Sequence, residues 1–172
     1  MRLAIYTTLL LTLMSLLPVS LLAEETPVFV KLDGAGQELT DQAPDWIMIL
    51  DRSTGLTWEI KSTDGSIHGR DNTYTWTNTT QIFIKGLNEE KFGSFSDWRL
   101  PEDEELVRLQ KLSESNPELF ARYFPRTAPS LYWTWSRCQD GSPNSAEMKF
   151  GSEPSPQKRQ HRIRAVHGKR RE

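Results

Sequence analysis

Cysteine is nearly missing from this chain: Cys138 is the only one in 172 residues. One thiol cannot close an internal disulfide, and it cannot build a cysteine-based metal site. The fold must therefore stand on its core. Histidine is scarce as well, with His68, His161 and His167 spread through polar loop or tail sequence. They show no metal-ligand spacing, and none has a nucleophile and an orienting partner beside it, so all three read as solvated side chains. Charge of one sign is also lacking. A formal net charge of −2 gives no global field for nucleic acid. Beyond the first residues, no apolar run is long enough to cross a bilayer.

The chain opens Met1-Arg2 and runs apolar to Leu21-Leu22-Ala23 before Glu24. A positive charge, a short apolar core and a small residue at the end have the pattern of a secretory signal peptide, 1–23, cleaved after Ala23. No cysteine follows to carry a lipid, so the mature chain is expected in the periplasm or secreted. The remainder has the size of one domain, residues 24–168, able to bury roughly 70% of its unfolded surface. Six tryptophans, all after residue 45, supply bulk for a core. Residues 169–172 read as a basic tail.

Hydrophobic patterning places the elements. Val28–Leu32 and Trp46–Asp51 read as strands, and Leu56–Ile60 alternates apolar and polar as the second arm of a hairpin. Gly55 supplies the positive φ of its turn. Residues 61–73 are polar and read as a loop. Trp76, Phe83, Ile84 and Leu87 are spaced for one helix face. Leu106, Leu109 and Leu112 mark a second helix, ended by Asn116-Pro117, with Leu119–Phe124 adding a further turn. Tyr132–Ser136, Met148–Phe150 and Ile163–Val166 read as strands, and 151–156 as a loop.

The stretch Phe95-Ser96-Asp97-Trp98-Arg99-Leu100-Pro101 stands out as a structured junction. Trp98 is expected to be packed, Pro101 to precede a helix, and Arg99 to pair internally with Asp97 or Asp51. Glu102–Glu105 follow as a first turn that suits the helix dipole. Side chains on a helix diverge, so this acidic run reads as solvated rather than as a cation site.

With these elements in order, the chain resembles the Lcl C-terminal domain family, named after the C-terminal domain of a bacterial collagen-like adhesin. Asp51-Arg52-Ser53-Thr54-Gly55-Leu56-Thr57-Trp58 is similar to its opening D-x-x-T-G-L-x-W. Gly93 to Pro101 is similar to its G-x-x-D-W-R-L-P, and Glu105-Leu106 to its helix opening. Tyr132-Trp133-Thr134-Trp135-Ser136 resembles its aromatic strand, and Arg162 to Gly168 its closing strand. Order and spacing agree from about residue 28 to residue 168. Asp51, Gly55, Trp58, Asp97, Trp98, Arg99, Pro101 and Trp133 are thus expected to form a structural signature.

The resemblance implies an α+β, C-type-lectin-like fold: two helices with mostly antiparallel short sheets and the chain ends paired. Many members carry a cysteine on the first helix and another in the closing strand; here Phe83 or Ile84 and Ala165 take those places, which implies packing instead of a disulfide. The adhesin's domain binds sulphated polysaccharide, and its trimers leave homo-oligomerisation open for this chain.

Enzyme chemistry finds no footing in these residues. The lectin-like formylglycine-generating enzymes use two cysteines, and the calcium-lectin tripeptides are missing, since Ser142-Pro143-Asn144 lacks the leading carboxylate. No cofactor or metal is expected. The physical hint of a ligand is basic: Lys158, Arg159, Arg162 and Arg164, with alternation placing Arg162 and Arg164 on one face of the closing strand. Guanidinium groups suit sulphate and carboxylate. The expectation is a non-enzymatic binding or adhesion module for an anionic polysaccharide or an envelope protein. A periplasmic structural or protein-interaction domain is the alternative.

Overall fold

The computed structural model describes residues 28–137, 143–147, 151–154 and 160–169. Residues 1–23, Cys138, the Met148–Phe150 strand, Lys158, Arg159 and most of the basic tail lie outside the described residues. Seven short strands and a series of helices give an α+β domain. One sheet has the order β1-β2-β3-β7, formed by Phe29–Leu32, Met48–Asp51, Leu56–Glu59 and Val166–His167, each pair antiparallel. A second antiparallel sheet runs β4-β5-β6: Leu131–Arg137, Pro143–Glu147 and Gly151–Pro154. The 151–156 stretch, expected as a loop from its proline and glycine, therefore begins as an edge strand, where proline's missing N–H costs no ladder bond. The first and last strands share a sheet but do not pair, because the β2-β3 hairpin stands between them.

Alternation along the first sheet sorts side chains between two cores. Phe29, Ile49, Leu56, Trp58 and Ile60 pack with Leu106, Leu109, Tyr123 and Phe124. Those last four belong to α3 (Asp103–Ser115), α4 (Pro117–Tyr123) and the residue after it. Val30, Leu32 and Met48 point the other way, toward Trp76, Phe83, Leu87, Trp98 and Trp133. Layers thus cover both faces of the sheet. The polar members of β3, Thr57 and Glu59, are buried as a result, although strict alternation reads as a half-solvated strand. Phe83 and Ala165 lie in the same core, as packing in place of a disulfide requires.

The expected first helix is present, but wound in three pieces. α1 (Trp76–Asn78) and α2 (Lys85–Glu89) flank a π-helical segment, Thr79–Ile84. Thr79 and Thr80 donate their hydroxyls back to the carbonyls of Thr75 and Thr77, at 2.9 and 3.2 Å. Such back-bonding competes with the regular ladder. The second helix is capped reciprocally: the Glu102 side chain accepts from the Glu105 backbone, and the Glu105 carboxylate accepts from Glu102 N–H at 2.8 Å. Asn116 closes α3 and caps α4, with Pro117 in its first turn.

Candidate functional site

Asn88 and the Trp98 backbone organise the junction before α3. The Asn88 amide accepts from Trp98 N–H at 2.6 Å and donates to Trp98 C=O at 2.9 Å. Held this way, the indole is buried and donates to Phe92 C=O at 2.9 Å. Arg99 pairs backbone to backbone with Val166, two bonds of 2.9 Å. Its guanidinium meets neither Asp97 nor Asp51, as the sequence led us to expect. It forks onto Glu105 at 2.7 and 2.8 Å and reaches Gly168 C=O at 3.0 Å. The reason is α3: its third residue brings a carboxylate back toward its own start, where the fork geometry of arginine fits. Asp51 instead caps the hairpin turn, accepting from Ser53 N–H at 2.9 Å. Gly55 has φ 73°, as the turn demands. Asp97 meets His167 Nδ1 at 2.6 Å, and the His167 ring stacks on Phe95 at 3.9 Å.

None of the histidines is the solvated residue its sequence context implied. His161 is buried, with its ring 4.5 Å from that of Trp133. His68 stacks on Phe92 and bonds Glu59 at 2.9 Å. The Glu59 carboxylate lies in the interior and serves three donors: Lys61 Nζ and His68 Nδ1 at 2.9 Å, and Ala165 N–H at 3.1 Å. Burial pushes its pKa up, but the Lys61 charge and the bonds from His68 and Lys61 outweigh that, so it stays below the ordinary value. Burial also holds the Lys61 ammonium below its usual value, against the pull of Glu59.

Around this pair the structure gathers further cations. Arg164, expected on an exposed face, is 1% exposed. It donates to Glu59 C=O and to the Thr127 hydroxyl, both at 2.7 Å, and lies over Phe124. A guanidinium so enclosed cannot touch a polymer, and burial lowers its pKa. Arg162 does not share its surroundings: it donates to Arg70 C=O and lies 3.4 Å from Asp71. Arg126 Nε donates to Lys61 C=O at 2.5 Å. Tyr132 is buried among these groups; burial raises its phenol pKa, while the charges of Arg164, Arg162 and Arg70 lower it. Of the four basic residues expected at the closing strand, one is interior, one borders this cluster, and Lys158 and Arg159 lie outside the described residues. Arg70 and Arg126 come from polar loops, and only contact across the fold reveals them.

A cleft of about 610 Å³ opens elsewhere, between the hairpin turn (Thr54, Leu56) and α3 (Glu104, Arg108, Lys111). Two of the acidic residues in its wall, Glu102 and Glu105, are engaged in the helix cap and the Arg99 fork. The first turn of α3 is thus only in part the solvated acidic run that its sequence describes. Among the described residues no group of three His, Cys, Asp or Glu side chains is placed to hold a metal ion, and no helix is long and apolar enough to cross a membrane.

Two layers of helix about a mixed pair of antiparallel sheets, stapled at the closing strand by Arg99 and Glu59, define a small α+β domain with a cationic border. A family model described as the Lcl C-terminal domain matches residues 47–167, and the chain belongs to that family. A search of curated proteins gave no match.

Proposed function

We propose that this chain is an exported, non-enzymatic binding or adhesion module that recognises an anionic glycan or another acidic component of the cell envelope, on a C-type-lectin-like framework. One observation carries the reading: cationic side chains from three separate segments, around residues 61–70, 126 and 162–164, converge beside the closing strand. Family membership and the apolar run at residues 1–23 support the adhesive and exported parts of it. Clefted cations of one sign raise the local concentration of polyanions and make their capture salt-dependent. A glycan array probed at low and at physiological salt tests it. Signal on acidic glycans that falls with salt is expected, and no acidic-glycan signal at either salt overturns the proposal.

A periplasmic protein-interaction domain is the second reading. It is favoured by Trp135, 37% exposed, whose ring centroid stands 6.3 Å from that of Trp76. Recovery of one stoichiometric protein partner, with a silent glycan array, is the result that would choose it.

A further inference from the structure

Charge and exposure sort the cationic cluster into an inner and an outer set. Lys61 and Arg164 are buried and committed to Glu59 and its backbone. Arg70, Arg126 and Arg162 form the rim. Among the described side chains of this cluster, five cations face two carboxylates, Glu59 and Asp71. Glu59 is interior and already serves three donors. Asp71 is the opposite case: its side chain is 80% exposed, 3.4 Å from Arg162 and 3.8 Å from Arg70 Nε. Those separations lie at or beyond the limit of a hydrogen bond, and an exposed pair of this kind contributes about 0–1 kcal/mol.

The rim also holds an unanswered donor. Arg70 Nε is shut off from solvent and has no hydrogen-bond partner, with the Asp71 oxygen too far away to accept from it. A buried N–H of a charged group without an acceptor is costly, and an incoming oxyanion would satisfy it. Arg126 stands next along the same stretch: its Nε bonds Lys61 C=O, and the neighbouring Ser62 C=O accepts from Arg70 N–H at 2.9 Å.

We propose that Arg70 and Arg162, flanked by Arg126, form the seat for one sulfate or carboxylate group of an acidic polysaccharide, and that Asp71 is a weak internal occupant which the ligand displaces. The inference rests on the glycan reading above and assigns its contact residues. Arg70 and Arg162 bond the oxyanion, Arg126 holds the chain beside it, and Lys61 and Arg164 act only through their field.

The experiment is calorimetric titration of the full chain with a size-defined heparin oligosaccharide at low salt. It compares wild type with Arg70→Gln, Arg126→Gln, Asp71→Asn and the distant control Arg108→Gln, each checked by thermal melting. Loss of one charge-assisted bond corresponds to roughly tenfold. Arg70→Gln is expected to weaken binding by about that factor, Arg126→Gln by less, and Arg108→Gln not at all. Asp71→Asn is expected to tighten binding severalfold, which no damaged fold would do. Wild-type binding with Arg70→Gln and Asp71→Asn both unchanged would overturn the site and leave the glycan reading standing. Wild type that ignores heparin, while inorganic sulfate shifts the Arg70 and Arg162 Nε–H resonances, would keep the site and remove the glycan. Silence of wild type toward both probes would overturn the two together.

Discussion

Glu59 shows how much one side chain can decide. Its carboxylate links β3 to Lys61, to the 61–70 loop through His68, and to the closing segment through Ala165. Because the folded pKa is depressed, its contribution is complete above the unfolded value of about 4.3 and is lost as pH falls through the lower folded value. Acid unfolding of wild type should therefore show a component below about pH 4.3 that Glu59→Gln removes. At neutral pH the same variant leaves Lys61 buried beside a neutral amide and should cost about 3–5 kcal/mol, read by urea denaturation. Trp98 is the other decisive residue. Trp98→Ala should lose about 3–5 kcal/mol and unfold the domain. A folded Trp98→Ala protein that merely fails to bind would contradict the structural role given to it.

Elements in this fold are stapled to one another more than they are stable alone. The Arg99–Glu105 fork couples the start of α3 to the closing strand, and both side chains are mostly enclosed. A double-mutant cycle with Arg99→Ala and Glu105→Ala should give a coupling of about 2 kcal/mol, well above that of the exposed Lys85–Glu89 pair. The short 3-10 turn Phe92–Ser94 meets β2 just as closely. Gly93 has φ 62°, and a methyl group there would fall 2.2 Å from the Met48 sulfur. Gly93→Ala should thus cost strain and overlap together, about 2–4 kcal/mol, measured as a lowered melting temperature.

Legibility followed how local the cause was. The hairpin, both helices and the aromatic strand could be read, because period, turn glycine and capping residues act within a few positions. The π-helical turn could not, since nothing in spacing distinguishes Thr79 and Thr80 bonding backward from ordinary weak helix formers. Arg99 was read as internally paired, but its partner depended on how α3 closes on itself. Arg162 and Arg164 were read together as a face; β7 is only two residues long, so the strand alternation behind that reading does not hold there. The histidines were misread for a similar reason, as their burial comes from distant rings. Arg70 and Arg126 carry no signal of their own in sequence.

At the scale of the whole molecule, charge is near balance and its arrangement matters more than its sum. Positive groups collect at the closing segment while Glu102–Glu105 cap α3 on the other side of the Arg99 fork. Binding through the proposed seat should weaken with ionic strength as screening shortens from about 10 Å at 0.1 M salt to 3 Å at 1 M. Folding stability should change far less over that range, because Glu59–Lys61 and Arg99–Glu105 are largely shielded from solvent. Parallel titrations of binding and of melting temperature against salt separate the two.

The position of β7 beside β3 sets a schedule for folding. Glu59, Trp58 and Arg99 each wait for partners between residues 165 and 168, about seventy to more than a hundred positions later in the chain. Ribosomes deliver those partners last. A nascent chain that has reached residue 160 holds a hairpin and two helices with no edge to close on, and an unanswered buried carboxylate. It should remain open and threadable until synthesis is nearly done. Ordering of the domain then becomes a late, single event, with a rate set by the wide loop that β7 must close.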